Sequence, residues 1–132
     1  MADTVTSKYV YDGQRRKILH ITNISDGTGE SAAIKADIST LTFNKGVVPT
    51  YTAVDMIDYN IQGFTSVRLY WDHNTDDTIA ILPSLAGTIH FEAFGGKVDP
   101  QSSGGTGDII LTTVGAVSGA TYDIMIYFRP KA

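Results

Sequence analysis

Apolar and polar residues alternate along most of this chain, in short runs that are separated by polar or glycine-rich turns. In the run at 17–24, for example, Leu19 and Ile21 share one face, and His20 lies on the other. A period of two places successive side chains on opposite faces of a β-strand. The same period predicts further strands at 5–11, 33–41, 51–61, 64–71, 78–82, 88–94, 108–114 and 121–129.

The spacing of these strands predicts the fold class. Residues branched at Cβ, which favour sheets, are abundant, and no stretch has a convincing amphipathic helix pattern. Short strands at even spacing are typical of antiparallel sandwiches and jelly rolls. We predict an all-β fold, an antiparallel β-sandwich or jelly roll, as one domain over 1–132. Residues 1–11 are predicted as an N-terminal arm that could pair with the exposed sheet edge of a neighbour.

For two of the runs, the alternation predicts which side chains share a face of the strand. In the run at 33–41, Ile34, Ala36 and Ile38 are predicted to share one face, opposite Lys35, Asp37 and Ser39. In the run at 88–94, the apolar side chains are predicted to face inward, namely Ile89, Phe91 and Ala93. The stretches at 44–49 and 95–107 are predicted loops because they are rich in residues that favour turns.

The composition excludes several kinds of chemistry and partner. Of the 132 residues, 42% are hydrophobic and 18% are charged, and none is cysteine. A disulfide scaffold, a thiolate zinc site and a cysteine nucleophile are therefore excluded. The net charge of −4 opposes binding to nucleic-acid phosphates, so we expect no nucleic acid as a partner. No apolar run approaches the roughly 20 residues of a membrane helix, and no secretory signal is visible, so we expect synthesis in a cytoplasm and no membrane partner.

The histidines have no spacing that is typical of catalytic or metal-binding residues. His20, His73 and His90 lie far apart in the sequence, and no two of them form a short metal-ligand pair. We predict no catalytic, cofactor-binding or metal-binding residues, and therefore no cofactor and no enzymatic activity. An enzyme would need a polar pocket that brings His20 or His90 beside a carboxylate, and we expect no such pocket.

The acidic turn at 72–77 is a candidate for a calcium site. Asp72, Asn74 and Asp76 match the opening of a calcium-binding loop. The rest of that pattern fails, because Asp77 stands at the glycine position and Pro83 at the glutamate position. Since Asp and Asn also favour turns, we interpret the segment as an ordinary turn and keep calcium binding as the alternative.

Basic and aromatic residues cluster near the N-terminus. Arg15, Arg16 and Lys17 follow closely after Tyr9 and Tyr11. Side chains of these two kinds can together bind an acidic protein surface. We predict that these five residues form a docking patch, and the alternative is a solvated strand start without a partner.

The aromatic residues are more numerous than one small core needs. The chain has seven tyrosines and five phenylalanines, and some of them are expected at an interface. Trp71 alternates with the inward residues of its run, which predicts a core position. The alternative is that Trp71 and Tyr70 form a sugar-binding platform beside the turn at 72–77.

Several segments resemble those of a family of small structural proteins of tailed bacteriophages, many from marine and cyanobacterial hosts. The main one is the segment ITNISDGTGES at 21–31. Further matches, in order along the chain, are RLYWD at 68–72, FGG at 94–96, GTGDI at 105–109, TTVG at 112–115 and the closing aromatic strand that ends at Phe128. The resemblance covers nearly the whole chain.

The resemblance implies a structural role on a virus particle and supplies no catalytic residues. By analogy with small all-β phage proteins, we expect a decoration or cement protein on the virion head, with the major capsid protein as its partner. Self-association as a dimer or trimer on the lattice is also expected. The alternatives are a tail, neck or baseplate component and a small carbohydrate-binding module.

Overall fold

The computed structural model describes residues 3–13, 15–41 and 49–131. Over these residues it forms β1 (Thr4–Asp12), β2 (Lys17–Asp26), β3 (Ala33–Ala36), β4 (Tyr51–Gln62), β5 (Ser66–Trp71), β6 (Asp77–Pro83), β7 (Ala86–His90), β8 (Lys97–Val98), β9 (Ile109–Val114) and β10 (Ser118–Lys131). Two 3₁₀ segments are Ile38–Thr40 and Glu92–Phe94. The predicted loop at 44–49 lies outside the described residues except for Pro49.

The strands form two antiparallel sheets, which confirms the predicted all-β sandwich. Sheet A has the order β1-β2-β10-β4-β7, with β8 beside β4, and sheet B has the order β3-β9-β5-β6. The four strands β2, β10, β4 and β7 together with the four strands of sheet B have the strand order of a jelly roll. Strand β1 extends sheet A at its edge, next to β2.

One hydrophobic core receives side chains from both sheets. The predicted inward faces of β2, β5 and β10 are confirmed, because alternate residues along these strands are buried. Burial of each large apolar side chain contributes about 1.5–3 kcal/mol to folding. The inward residues of these three strands include Leu19, Ile21, Val67, Leu69, Trp71, Ile124, Ile126 and Phe128.

The segment predicted as an N-terminal arm is, for its described part, a strand of the chain's own sheet. Thr4 pairs with Ile24 and Asp12 pairs with Lys17, with an irregularity between Tyr9 and Tyr11. Most side chains of β1 are exposed on both faces. The arm is therefore joined to its own domain by backbone hydrogen bonds, and it leaves one strand edge at the border of sheet A.

The prediction for 33–41 is wrong in its length and facing. Strand β3 ends at Ala36, and Asp37 then caps a 3₁₀ turn by accepting a hydrogen bond from Ser39 N at 3.0 Å. A register shift between Ile34 and Ala36 disrupts the alternation, so Ile34 is exposed and Lys35 is buried. Lys35 tolerates burial because its ammonium pairs with a carboxylate, which a pattern of apolar positions does not reveal.

The prediction for 88–94 is correct for Phe91 and wrong for Ala93. Strand β7 ends at His90, and Glu92–Phe94 form a 3₁₀ turn that ends at Gly95 in the left-handed region, with φ 84°. The turn exposes Ala93 and leaves 68% of Phe94 accessible. The predicted loop at 95–107 also contains the short strand β8.

Candidate functional site

Three of the five predicted docking residues lie on the surface, where β1 turns into β2. Tyr11 is 54% exposed, and Arg15 and Arg16 are exposed as well. Gly13 N donates to Arg16 O at 3.0 Å and closes this turn. A side chain at Gly13 would collide with the ring of Tyr11, because its Cβ would lie 2.9 Å from Tyr11 Cε2. The sequence therefore presents one aromatic and two cationic side chains at the end of a hairpin.

The other two predicted docking residues face the interior, which corrects their assignment to the patch. Lys17 has an exposed fraction of 0%, and its Nζ pairs with Asp12 and lies 5.8 Å from the centre of the Tyr9 ring. Tyr9 packs on Phe128, with 6.4 Å between ring centres. Burial, followed by the charges of Asp12 and Asp37, raises the pKa of Tyr9 to about 12. Lys17 lies on the same face as Leu19, so the alternation of β2 directs it inward.

A groove adjoins the exposed part of the patch. It has a volume of about 460 Å³ and is lined by Arg16, Asp55, Met56, Glu92, Gly95, Tyr127 and Arg129. Arg129 Nε donates to both carboxylate oxygens of Asp55, at 3.1 and 3.0 Å, so its charge is already matched. Arg16 also lines a second groove together with Tyr11 and Arg15. We call the surface formed by Tyr11, Arg15, Arg16, Met56 and Tyr127 the docking surface.

Among the described residues, neither Arg15 nor Arg16 has an ion-pair partner. The two arginines that line the groove thus differ in their pairing, since Arg129 has an ion-pair partner and Arg16 has none among the described residues. An acidic group of a partner could pair with Arg15 or Arg16 without first breaking an ion pair within this chain. The docking surface therefore combines hydrophobic contact with two unmatched positive charges.

The expectation that no polar pocket brings a histidine beside a carboxylate is wrong for His20, and His90 also has a carboxylate beside it. His20 Nε2 lies 2.6 Å from Asp123 Oδ1, and His90 Nδ1 lies 3.0 Å from Glu92 Oε1. A groove of about 340 Å³ contains the His20–Asp123 pair. Both pairs are solvent-accessible, and the described residues that line the groove include no serine, threonine, cysteine or lysine to act as a nucleophile. Sequence spacing could not reveal His20–Asp123, because these residues come from neighbouring strands.

Trp71 is in the core, as its alternation predicts. The side chain is 1% exposed, and its Nε1 donates to Thr52 Oγ1 at 2.9 Å. A buried indole whose N–H is already bonded cannot stack on a sugar ring. The sugar-binding platform built on Trp71 is therefore excluded.

The acidic turn at 72–77 packs against the long loop that precedes β9. Asp72 N donates to Asp108 O at 2.9 Å, and Asn74 N donates to Ser103 O at 3.0 Å. Gly105 must be glycine here, because its φ is 68° and a Cβ would lie 2.3 Å from Asp72 O. The backbone of the loop is thus held directly against the backbone of the turn.

This packing brings together the buried His73 and Asp99 and the half-buried Asp77, and we call these three residues the His73 cluster. His73 Nε2 lies 2.7 Å from Asp99 Oδ1 and 3.6 Å from Asp77 Oδ2. One ligand atom from each residue lies within 4.8 Å of the others, so the three groups could hold a metal ion. Two of the predicted calcium ligands instead accept hydrogen bonds within the chain. Asp76 Oδ1 accepts one from His73 N, and Asp72 Oδ2 accepts one from Thr106 Oγ1.

The surroundings of His73 favour its charged form. Burial lowers the pKa of His73, but hydrogen bonds to Gly104 and Asp99 and the charges of Asp99 and Asp77 outweigh burial and raise the pKa above its ordinary value. The sequence showed His73 and Asp77 in one turn and gave no signal for Asp99. Asp99 enters the cluster from the loop that follows β8, three strands after the turn.

A second, largely buried cluster contains Asp3, Asn23, Glu30, Lys35 and Tyr122, and we call it the Glu30 cluster. Glu30 Oε1 accepts from Asn23 Nδ2 at 2.8 Å and from Tyr122 OH at 2.5 Å, and Oε2 accepts from Lys35 Nζ at 2.5 Å. Asp3 accepts from Asn23 Nδ2 at 3.0 Å. Asn23 and Glu30 belong to the segment at 21–31 that carries the phage resemblance, so these two residues have a structural use.

Comparison with known proteins shows little likeness. No protein-family model and no curated protein matches the chain. A solved structure titled "Crystal Structure of FeII HppE" matches with a TM-score of 0.39 and 9% sequence identity, over 95% of this chain and 56% of that one. The chain thus spans little more than half the length of that protein. No helix in the described part of the chain is long and apolar enough to cross a membrane.

Proposed function

We propose that this chain is a non-enzymatic structural protein of a tailed-phage particle, a decoration or cement protein that binds the outer surface of the major capsid protein lattice. The observation that carries the proposal is the make-up of the docking surface. It combines the exposed ring of Tyr11 and the half-buried ring of Tyr127 with Arg15 and Arg16. Aromatic and arginine side chains are enriched at protein interfaces and supply much of their binding energy.

The fold is compatible with this role and does not select it. Jelly rolls serve viral capsids, lectins and cupins alike, so function depends on the surface of the particular protein. The resemblance of the segment at 21–31 to phage structural proteins favours a particle component. Attachment at many lattice sites would add avidity to a modest single contact.

The edge of sheet A supports self-association as a dimer or trimer on the lattice. Strand β1 has nine residues, and it pairs with β2 on one side only. Backbone groups on the other side of an edge strand can pair with a strand of a second molecule. A tail, neck or baseplate component would use the same surfaces, and it differs from a head protein in copy number.

The first test is the amount of this chain in purified phage particles relative to the major capsid protein. We expect a copy number comparable to that of the capsid protein, or to a fixed fraction set by its lattice symmetry. A few copies per particle would assign the chain to the tail or neck. Absence from the particle would overturn the virion proposal.

The second test is charge reversal at the docking surface. We expect R15E and R16E each to weaken binding to chain-free capsids several-fold and to reduce its salt sensitivity, since both remove an attraction to acidic groups. K8E is the matched control, because Lys8 is an exposed cation of β1 outside the groove. Equal occupancy of R15E, R16E and K8E on capsids would exclude this surface as the contact.

A further inference from the structure

We propose that His73, Asp77 and Asp99 form a binding site for one divalent transition-metal ion, and that zinc fits the site best. This site is separate from the docking surface, and its existence does not depend on a role in a phage particle. It is built from the turn between β5 and β6, from the first residue of β6 and from the loop between β8 and β9.

The first argument is that two buried carboxylate oxygens have no hydrogen-bond partner among the described residues, Asp77 Oδ2 and Asp99 Oδ2. The side chain of Asp99 is fully buried, at 0% exposure, and its Oδ1 accepts from His73 Nε2 at 2.7 Å and from Gln101 N at 2.8 Å. Buried polar atoms in folded proteins nearly always have a partner, because an unpaired one is costly. A bound cation would supply the missing partner to both oxygens.

The second argument is charge. The cluster has two carboxylates, and within the described part of the chain each of them pairs with His73 and with no lysine or arginine. A charged imidazole would balance only one of the two. A divalent cation with a neutral imidazole would balance both carboxylates, and this combination avoids a net charge beneath the surface.

The third argument is the orientation of the imidazole ring. His73 Nδ1 lies 2.9 Å from Gly104 O, which as a carbonyl can only accept a hydrogen bond. Nδ1 therefore carries a proton, and Nε2, which donates to Asp99 when the ring is charged, faces the two carboxylates and is the nitrogen that would bind a metal after losing its own proton. Metal-binding histidines commonly have this arrangement, in which a backbone carbonyl fixes the ring and leaves the other nitrogen for the metal.

The loop that holds the ring is fixed by close contact. A Cβ at Gly104 would lie 2.1 Å from Asn74 Oδ1, so this position requires glycine. His73 N is bonded to Asp76 Oδ1 at 3.1 Å, which fixes the backbone on the other side of the ring. The ligand groups are thus placed before any ion arrives, and this lowers the entropic cost of binding.

The donor set determines the class of metal. Calcium and magnesium prefer oxygen ligands only, whereas an imidazole nitrogen suits zinc and its transition-metal neighbours. One imidazole and two carboxylates would leave a coordination position of zinc for water. The side chain of Asp77 is 25% exposed, which offers a path for the ion to enter.

The experiment is calorimetric titration of the metal-stripped full chain with Zn²⁺. We expect one bound ion per chain. D77N and D99N should each weaken Zn²⁺ binding by about 100-fold or more, since even outer-shell changes cost about 10–100-fold at metal sites. The matched control is D123N, which alters the exposed His20–Asp123 pair and should leave the affinity unchanged.

Nuclear magnetic resonance of the imidazole nitrogens in the unmutated protein keeps the test independent of whether the variants fold. Stoichiometric Zn²⁺ should shift the Nε2 signal of His73 and leave the signals of His20 and His90 in place. The proposal is overturned if Zn²⁺ shifts only His20 and His90, or if D77N binds as tightly as the unmutated chain. A higher affinity for Ca²⁺ than for Zn²⁺ would overturn the assignment of the metal class.

Discussion

The Glu30 cluster and the His73 cluster are both largely buried and contain two acidic residues each, and they differ in how completely their charged groups are paired. In the Glu30 cluster, the Glu30 carboxylate pairs with Lys35 and accepts hydrogen bonds from Asn23 and Tyr122. In the His73 cluster, two carboxylates share one imidazole, and within the described part of the chain one oxygen of each accepts no hydrogen bond. A matched cluster stabilises the fold, whereas an unmatched one has capacity for a ligand.

The largest expected effect is in the Glu30 cluster, from removal of its cation. K35M should lower the free energy of unfolding by about 3–5 kcal/mol, because it leaves a buried carboxylate without its partner. The measurement is urea unfolding followed by circular dichroism, with K8M as the control at an exposed lysine. Equal stability of the two variants would contradict the view that the Glu30 cluster stabilises the fold.

A smaller effect is expected at Tyr122. Y122F should cost about 1.5–3 kcal/mol, the usual contribution of a hydrogen bond to a charged group. Burial, followed by the bond to Glu30 and its charge, raises the pKa of Tyr122 well above its ordinary value. A raised pKa adds stability below the unfolded-state value of about 10, and this stability is lost as the pH rises above it.

The protein should therefore lose stability steeply above about pH 10, where tyrosine ionises in the unfolded state. Tyr9, with its pKa of about 12, contributes in the same direction. Urea unfolding at several pH values between neutral and strongly alkaline would measure the slope. In Y122F this slope should be smaller, and an identical slope in both proteins would contradict the assignment to Tyr122.

The smallest effect is expected in the His73 cluster without metal. D77N should change the free energy of unfolding by less than about 1 kcal/mol, because Asp77 has few partners to lose. With excess Zn²⁺ present, the difference between D77N and the unmutated chain should grow, since only the unmutated chain gains stability by binding the ion. If D77N lowered the free energy of unfolding in the absence of metal as much as K35M does, the two clusters would not differ in their contribution to stability.

The sequence predicted most strands and their faces, because a period of two survives wherever one face of a strand is buried. This holds for β2, β5 and β10. It fails at Lys35, where a register shift and a buried ion pair reverse the expected facing. An alternating pattern of apolar and polar residues cannot predict that a charged side chain is buried, because the pattern does not show which residue pairs with it.

The candidate sites were predicted less completely for the same reason. Tyr11, Arg15 and Arg16 are on the surface as expected, whereas alternation along β2 directs Lys17 into the interior. Phe94 is exposed because it lies in a 3₁₀ turn that the strand pattern did not predict. The His73 cluster depends on how a loop packs on a turn, and spacing along the chain does not determine this.

Trp71 is an intrinsic fluorescence probe of the region beside the His73 cluster. It is the one tryptophan in the sequence, it is buried with its N–H bonded to Thr52, and it lies two residues before His73. Its fluorescence should be blue-shifted in the folded protein and move to longer wavelength when the core opens to water. Because all of this emission comes from one place, where β5 enters the turn of the His73 cluster, changes in that part of the molecule can be followed without an added dye.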